Sequence, residues 1–129
     1  MPQIDIKEYG KALYERRSQT VLLERATIEG GDWAPQHNMC HHNVSIWCEL
    51  KKDYKPVRGW LYFDLPGLNY VKFKAHSAVL APDGKLYDIT PSNASQDYPF
   101  LDGNLPEEEY ADLVETRGYG EINQIETGA

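Results

Sequence analysis

The first half of the chain has the hydrophobic spacing of α-helices. Residues 5–18 place apolar side chains, Leu13 among them, three or four positions apart, which predicts an amphipathic helix with Asp5 near its N-terminal cap. Residues 40–50 repeat this period in a more apolar sequence and are followed by two lysines, which suit a C-terminal turn. A second helix is therefore predicted to begin at Cys40.

After residue 56 the period changes to two. Alternation over residues 57–65, 70–81 and 85–90 predicts three strands joined by tight turns. Residues 20–28 are predicted to form a fourth, less distinct strand, although residues 22–25 would also suit a helix. Residues 106–115 begin with a proline and three glutamates, a pattern typical of a helix start. The pattern therefore predicts an α+β fold in which N-terminal helices pack on an antiparallel β-sheet meander of three or four strands.

The domain organisation follows from the length and from the absence of a linker-like segment. One domain is predicted over residues 1–129. The segment between the last predicted strand and the last helix lacks a clear period and is predicted to be mostly loop. Residues 118–129 are predicted to form a flexible tail.

Charge and targeting signals narrow the range of partners. With 20 acidic and 13 basic residues the net charge is -7, which does not suit a nucleic acid as the main partner. The N-terminus lacks a signal-peptide pattern, and no apolar run approaches the roughly 20 residues that span a bilayer. We therefore expect a cytoplasmic protein without a membrane partner, in which Cys40 and Cys48 stay reduced.

Three residues point to a chemical activity. Cys40 is predicted at a helix start, where the helix dipole favours a thiolate, while His76 and Asp88 are predicted on two neighbouring strands. A cysteine nucleophile needs an imidazole to exchange the proton and a carboxylate to orient that imidazole. Cys40, His76 and Asp88 are therefore the candidate catalytic residues.

The turn between the two strands decides whether the histidine and the acid can cooperate. Residues 81–84 read Ala-Pro-Asp-Gly, the signature of a three-residue hairpin loop that pairs the first of them with Lys85. This register places Ala78 opposite Asp88, so that His76 and Asp88 lie on one face as diagonal neighbours. A two-residue loop would place them on opposite faces.

Other cysteines and histidines have simpler interpretations. Cys48, in mid-helix beside a tryptophan, is interpreted as a small buried hydrophobe. His37 and Cys40 have the two-residue gap used in zinc sites, but a second such pair is missing, so no metal is predicted. His41 and His42 are interpreted as polar residues of the first helical turn, although either could replace His76 as the base.

Several motifs together resemble one superfamily. The sequence Cys40-x-x-Asn43 at a helix start, GWLYF, and AHSAVLAPDGKLYDITP resemble the papain-like superfamily in its compact transglutaminase-like form, over roughly residues 36–92. In that family a cysteine begins a helix packed on an antiparallel sheet, a histidine follows on a strand and an aspartate one strand later. The chain also resembles short bacterial and phage proteins in which Cys, Gly-Trp, His and Asp follow one another in this order.

The resemblance implies a cysteine-dependent hydrolase or acyltransferase that forms an acyl-enzyme on an amide or thioester carbonyl, without a cofactor. The substrate would be a peptide, a protein, or a small amide or thioester. Gln36 is the candidate side chain for the oxyanion site, together with the Cys40 backbone amide. Trp33, Trp60 and Tyr62 are candidates for lining a substrate cleft, although packing is the commoner role for such residues.

A second hypothesis comes from another functional class. The chain could be a non-catalytic phage or mobile-element module that binds a host protein through its acidic surface and retains a vestigial triad. The two hypotheses differ in the pKa that they predict for the Cys40 thiol, because an unactivated thiol titrates near 8.5.

Overall fold

The computed structural model describes residues 4–28, 30–65, 67–91 and 98–125. Within these ranges it has an α+β fold in which the strands form one mostly antiparallel sheet and the helices pack against it. The helices are α1 (Ile6–Glu15), α2 (Cys40–Leu50) and α3 (Glu107–Ala111), with a 3-10 turn at Arg17–Gln19 and a π-helical turn at Asp112–Thr116. The strands are β1 (Glu24–Arg25), β2 (Lys55–Asp64), β3 (Tyr70–Leu80), β4 (Leu86–Asp88), β5 (Phe100–Asp102) and β6 (Glu121–Ile125).

The two long helices begin where their sequences predict. In α1 the Asp5 carboxylate accepts hydrogen bonds from the backbone amides of Lys7 and Glu8, at 3.0 and 3.2 Å, which caps the helix. Helix α2 begins at Cys40, and its N-cap Met39 makes no side-chain capping bond. The first amides of α2 therefore lack the side-chain partner that α1 has.

The central hairpin of β2 and β3 organises the sheet. Its register runs from Lys55 opposite Leu80 to Asp64 opposite Val71, and the strand order is β1-β4-β3-β2-β5. Strand β6 pairs with β3, along the edge that β4 also uses further on. Val21, just before β1, exchanges backbone hydrogen bonds of 2.9 and 2.7 Å with Phe100 of β5, so the ends of this path approach each other.

The α+β class is confirmed, but the sheet is larger than predicted. It has six strands among the described residues rather than three or four. Residues 20–28 contribute only the two residues of β1, and β1 runs parallel to β4 rather than antiparallel. Both residues of β1 are exposed, so the segment has no buried period that would specify a longer strand.

Two short strands correct the predicted loop and tail. Strand β5 lies in the expected loop and pairs with β2, with Phe100 and Leu101 both buried. Strand β6 lies in the expected tail and pairs with β3, and it buries Ile122. Strands of three and five residues are too short to show a period, and their pairing with distant strands stabilises them. Residues 126–129 of the expected tail lie outside the described residues.

The helices and the sheet enclose two apolar clusters. The larger surrounds Trp60 and Phe73 with side chains of α1, α3 and β6, and the smaller joins α2 to β3 and β4. Gly59 permits the close packing of β2 on β5, because a Cβ there would collide with the Leu101 carbonyl oxygen. In the described part of the chain no helix combines the length and the apolar character needed to cross a membrane.

Candidate active site

The hairpin between β3 and β4 has the predicted register. Leu80 is opposite Leu86, the Ala81 amide donates to the Lys85 carbonyl at 3.0 Å, and Gly84 has a φ of 84°. This is the predicted three-residue loop, residues 82–84, whose last residue is the left-handed Gly84. The register prediction for the following residues is borne out by a contact between His76 and Asp88 across the two strands.

The histidine and the aspartate form an ion pair. His76 Nε2 lies 3.3 Å from Asp88 Oδ2, although the two groups are not aligned as a hydrogen bond. Both side chains are nearly buried, with exposed fractions of 13% and 11%. Because Nε2 faces the carboxylate, Nδ1 is the ring nitrogen left for the cysteine. The Phe100 ring packs edge-on against the imidazole, with centroids 6.2 Å apart.

Further contacts hold the carboxylate in place. The Thr90 amide donates to Asp88 Oδ1 at 3.1 Å, and Arg25 Nη1 lies 3.9 Å from Oδ2. Burial raises the pKa of Asp88, but the neighbouring His76, the Thr90 amide and Arg25 outweigh burial and lower it below its usual value. The carboxylate is therefore ionised at neutral pH and can orient the imidazole.

The cysteine and the histidine shift each other's pKa in opposite directions. Burial raises the pKa of the Cys40 thiol, but hydrogen bonding and charge from His41 and His76 lower it to about 5. Burial lowers the pKa of His76, but Asp88 and Cys40 raise it to about 9. Between these two values the site holds a thiolate beside an imidazolium, which is the reactive form of a cysteine nucleophile.

The three residues line one open cavity of about 900 Å³. Its wall combines the start of α2 with side chains of β1, β2 and β3 and with the region after α3. Apolar contributions come from Leu23, Leu61, Phe63, Tyr98 and Val114, and charged ones from Arg25, Lys74 and Glu115. The cavity is large enough for a substrate that presents both apolar and polar groups.

The aromatic residues expected in a cleft lie elsewhere, which corrects that expectation. Trp60 is fully buried and donates from Nε1 to the Tyr9 hydroxyl at 2.9 Å. Tyr62 packs on the larger apolar cluster, and Trp33 stacks on Trp47 in the smaller one. Strand β2 is apolar on both faces, and it is the opposite face, carrying Leu61 and Phe63, that lines the cavity.

Gln36 has an exposed side chain that does not line the cavity. Its backbone is instead held by the fully buried Asn43: the Gln36 amide donates to Asn43 Oδ1 at 2.8 Å, and Asn43 Nδ2 donates to the Gln36 carbonyl at 2.7 Å. Asn43 Nδ2 also donates to Thr90 Oγ1 at 3.1 Å. Asn43 therefore joins the loop before Cys40 to the segment after Asp88.

A second imidazole belongs to the site, which the sequence interpretation of His41 as a merely polar residue missed. His41 lines the cavity, and its Nδ1 lies 2.6 Å from Ser77 Oγ. Arg58 donates to the same Ser77 oxygen at 2.9 Å and to the His41 carbonyl at 3.1 Å. The sequence feature that could have indicated a polar cluster here is Arg58, a charged residue on the strand face that also carries the buried Trp60.

The remaining thiol and histidines are separate from this arrangement. Cys48 is also a free cysteine; its pKa is raised, chiefly by burial. His42 is exposed at the cavity wall, and His37 is exposed in the loop before α2. Among the described residues, no three side chains of His, Cys, Asp or Glu are grouped so that they could hold a metal ion.

No protein-family model, curated protein or solved structure matches this chain.

Proposed function

We propose that this protein is a papain-like, transglutaminase-like cysteine hydrolase or acyltransferase that acts on an amide or thioester carbonyl. The observation that carries the proposal is geometric: Cys40 begins α2 at the wall of a cavity that also contains His76, with Asp88 3.3 Å behind the imidazole. This setting lowers the Cys40 pKa to about 5. An unactivated structural cysteine would keep a pKa near 8.5 or above.

The reaction follows from the protonation states. The Cys40 thiolate attacks the carbonyl carbon of the substrate and forms a tetrahedral intermediate. The His76 imidazolium gives its proton to the departing amine or thiol, and the intermediate collapses to a thioester on Cys40. Water or a second nucleophile then gives a proton to His76 and attacks the thioester, which releases the acyl group and restores the thiolate.

The oxyanion of the intermediate needs hydrogen-bond donors. The Cys40 backbone amide is the best placed, because it is one of the first amides of α2 and the N-cap Met39 supplies no capping bond. The exposed Gln36 side chain would have to turn toward the cavity to contribute. A peptide, a protein, or a small amide or thioester suits the cavity, and a cytoplasmic location would keep the thiol reduced.

The test is to trap the acyl-enzyme. Incubation with an activated thioester, followed by intact-mass measurement and peptide mapping, should show one acyl group on Cys40. The Cys48→Ala variant is the matched control and should be acylated like the wild type, whereas Cys40→Ala should not be acylated. A Cys40 thiol that titrates near 8.5 and resists acylation would refute the enzyme and favour the non-catalytic binding module.

A further inference from the structure

His41 follows Cys40 in the first turn of α2 and lines the same cavity as Cys40 and His76. Its imidazole, like that of His76, lowers the pKa of the Cys40 thiol. The imidazole is half-buried, and the Tyr110 ring packs against it edge-on, with centroids 5.8 Å apart. The Tyr110 hydroxyl in turn donates to the Gly59 carbonyl at 2.8 Å, which fixes the aromatic ring.

The contacts of Ser77 determine the tautomer of His41. A serine hydroxyl has one proton to donate, and a guanidinium can only donate. Arg58 Nη1 donates to Ser77 Oγ at 2.9 Å, so the hydroxyl is an acceptor in that bond. The oxygen has a second lone pair, but Ser77 is fully buried and its hydroxyl proton needs an acceptor; among its described side-chain contacts that acceptor is His41 Nδ1, 2.6 Å away. In neutral His41 Nδ1 is therefore the acceptor, and the ring proton is on Nε2.

Arg58 is itself held firmly. Its guanidinium also donates to the His41 carbonyl at 3.1 Å and to Ser45 Oγ at 2.9 Å, and its Nε lies 3.1 Å from the Glu107 carboxylate. Its side chain is only 10% exposed. The orientation of the serine hydroxyl is thus imposed by a buried, multiply bonded arginine.

We propose that His41, held as its Nε2–H tautomer by Ser77 and Arg58, donates a hydrogen bond from Nε2 to the Cys40 sulfur and stabilises the thiolate. The two imidazoles then have different tasks: His76 exchanges the proton and His41 remains a donor. Ser77 and Arg58 are positioning residues that act through His41. The inference rests on the proposed role of Cys40 as the nucleophile.

The first test reads the tautomer directly. Nitrogen-15 NMR of the histidine rings at neutral pH distinguishes an Nε2–H from an Nδ1–H imidazole, and the His41 signals are assigned by their loss in His41→Gln. We expect the Nε2–H tautomer for His41. An Nδ1–H tautomer or a fully protonated ring would overturn the proposal.

The second test measures the Cys40 thiol by ultraviolet titration in a Cys48→Ala background, where it is the remaining cysteine. His41→Ala should raise the thiol pKa by about one unit, which is about tenfold less thiolate at a pH below both values. His41→Gln keeps an N–H donor and should restore most of the shift. If His41→Gln behaves like His41→Ala, the role of a neutral donor is refuted.

The control and the positioning variant complete the design. His42→Ala removes the neighbouring histidine, which lacks the Ser77 contact, and should leave the thiol pKa unchanged. Ser77→Ala should raise the thiol pKa, as His41→Ala does. If Ser77→Ala fails to fold, the comparison of His41→Ala with His41→Gln still tests the proposal. A wild-type thiol near 8.5 would contradict the proposed function, whereas a low wild-type value that His41→Ala does not change would contradict this inference alone.

Discussion

The first and third turns of α2 each carry a cysteine, but the surroundings of the two thiols shift their pKa values in opposite directions. The first turn presents Cys40 to two imidazoles, and the pKa of this thiol falls to about 5. The third turn presents Cys48 beside the smaller apolar cluster, where burial raises the thiol pKa and Trp47 packs on Tyr54 with ring centroids 5.4 Å apart. One helix therefore carries a thiol with a lowered pKa and a thiol with a raised pKa, eight positions apart in the sequence.

The difference shows that burial alone does not set the reactivity of a cysteine. Desolvation is the largest contribution at both positions and raises both pKa values. At Cys40 the donors and charges of His41 and His76 outweigh it; at Cys48 the charge of Arg58 does not. The first turn is thus expected to control activity, and the third turn to control stability.

The sharpest test removes Cys40 from the first turn of α2, or the His76 imidazole that β3 presents to it. Cys40→Ala and His76→Ala should each lower the rate of acyl transfer from an activated thioester by at least about a thousandfold, and the double variant should lose little more, because the two residues act as a unit. Cys48→Ala should keep the wild-type rate. Full activity in a folded Cys40→Ala variant would end the distinction between the two turns.

The corresponding change in the third turn should act on stability. Trp47 is 5% exposed, and Trp47→Ala should lower the free energy of unfolding by about 3–5 kcal/mol, because it leaves a cavity in the smaller cluster. Urea denaturation monitored by circular dichroism measures this. Trp47→Phe, which keeps most of the apolar volume, should cost less, and Cys40→Ala should unfold cooperatively near the wild-type midpoint. Equal costs for Trp47→Ala and Cys40→Ala would contradict this division of roles.

Removing the charge behind His76 should have an intermediate effect. Asp88→Asn should lower kcat/KM by roughly a hundredfold, the lower end of what a positioned proton-transfer group contributes, since nucleophile and base remain but the orienting charge is lost. In the wild type kcat/KM should rise as pH passes about 5 and fall as pH passes about 9, the range in which the thiolate and imidazolium coexist. The carboxylate raises the pKa of His76, so Asp88→Asn should move the alkaline limb to lower pH. An unmoved limb would show that Asp88 does not act on His76.

The smallest expected effect compares the two thiols directly. At about pH 7 iodoacetamide should alkylate Cys40 faster than Cys48, because Cys40 is almost fully ionised whereas burial raises the pKa of Cys48. The ratio should be only severalfold, since a thiolate of low pKa is intrinsically less nucleophilic. Peptide mapping after brief labelling separates the two sites, and the urea-denatured protein, in which both thiols should react alike, is the control. Faster labelling of Cys48 would reverse the assignment.

The elements near the site were largely predictable because local signals specify them. A helical period and a polar approach predicted the start of α2 at Cys40, and the Ala-Pro-Asp-Gly turn predicted the register that brings His76 beside Asp88. The length of the turn is decisive here, because a loop of two residues instead of three would have placed His76 and Asp88 on opposite faces of the sheet.

Other features depend on contacts between distant segments. Strands β5 and β6 exist because β2 and β3 offer them edges, and neither has a period of its own. The aromatic residues of β2 could not be assigned to core or cavity, because both faces of that strand are apolar. The sequence predicted that the Gln36 side chain helps to bind the oxyanion, yet the buried Asn43 holds the Gln36 backbone and the side chain is exposed.

The sequence by itself determined the α+β class, the helix that begins at Cys40 and the hairpin that pairs His76 with Asp88, because each rests on residues close together in the chain. Only the tertiary structure decided which histidines share a cavity with Cys40 and which of the two thiols has the lowered pKa. Arg58 and Ser77 are directly opposite each other across β2 and β3 and converge on His41 from a different element. A pKa depends on the distances to every neighbouring charge and donor, and such distances are set by packing rather than by sequence spacing.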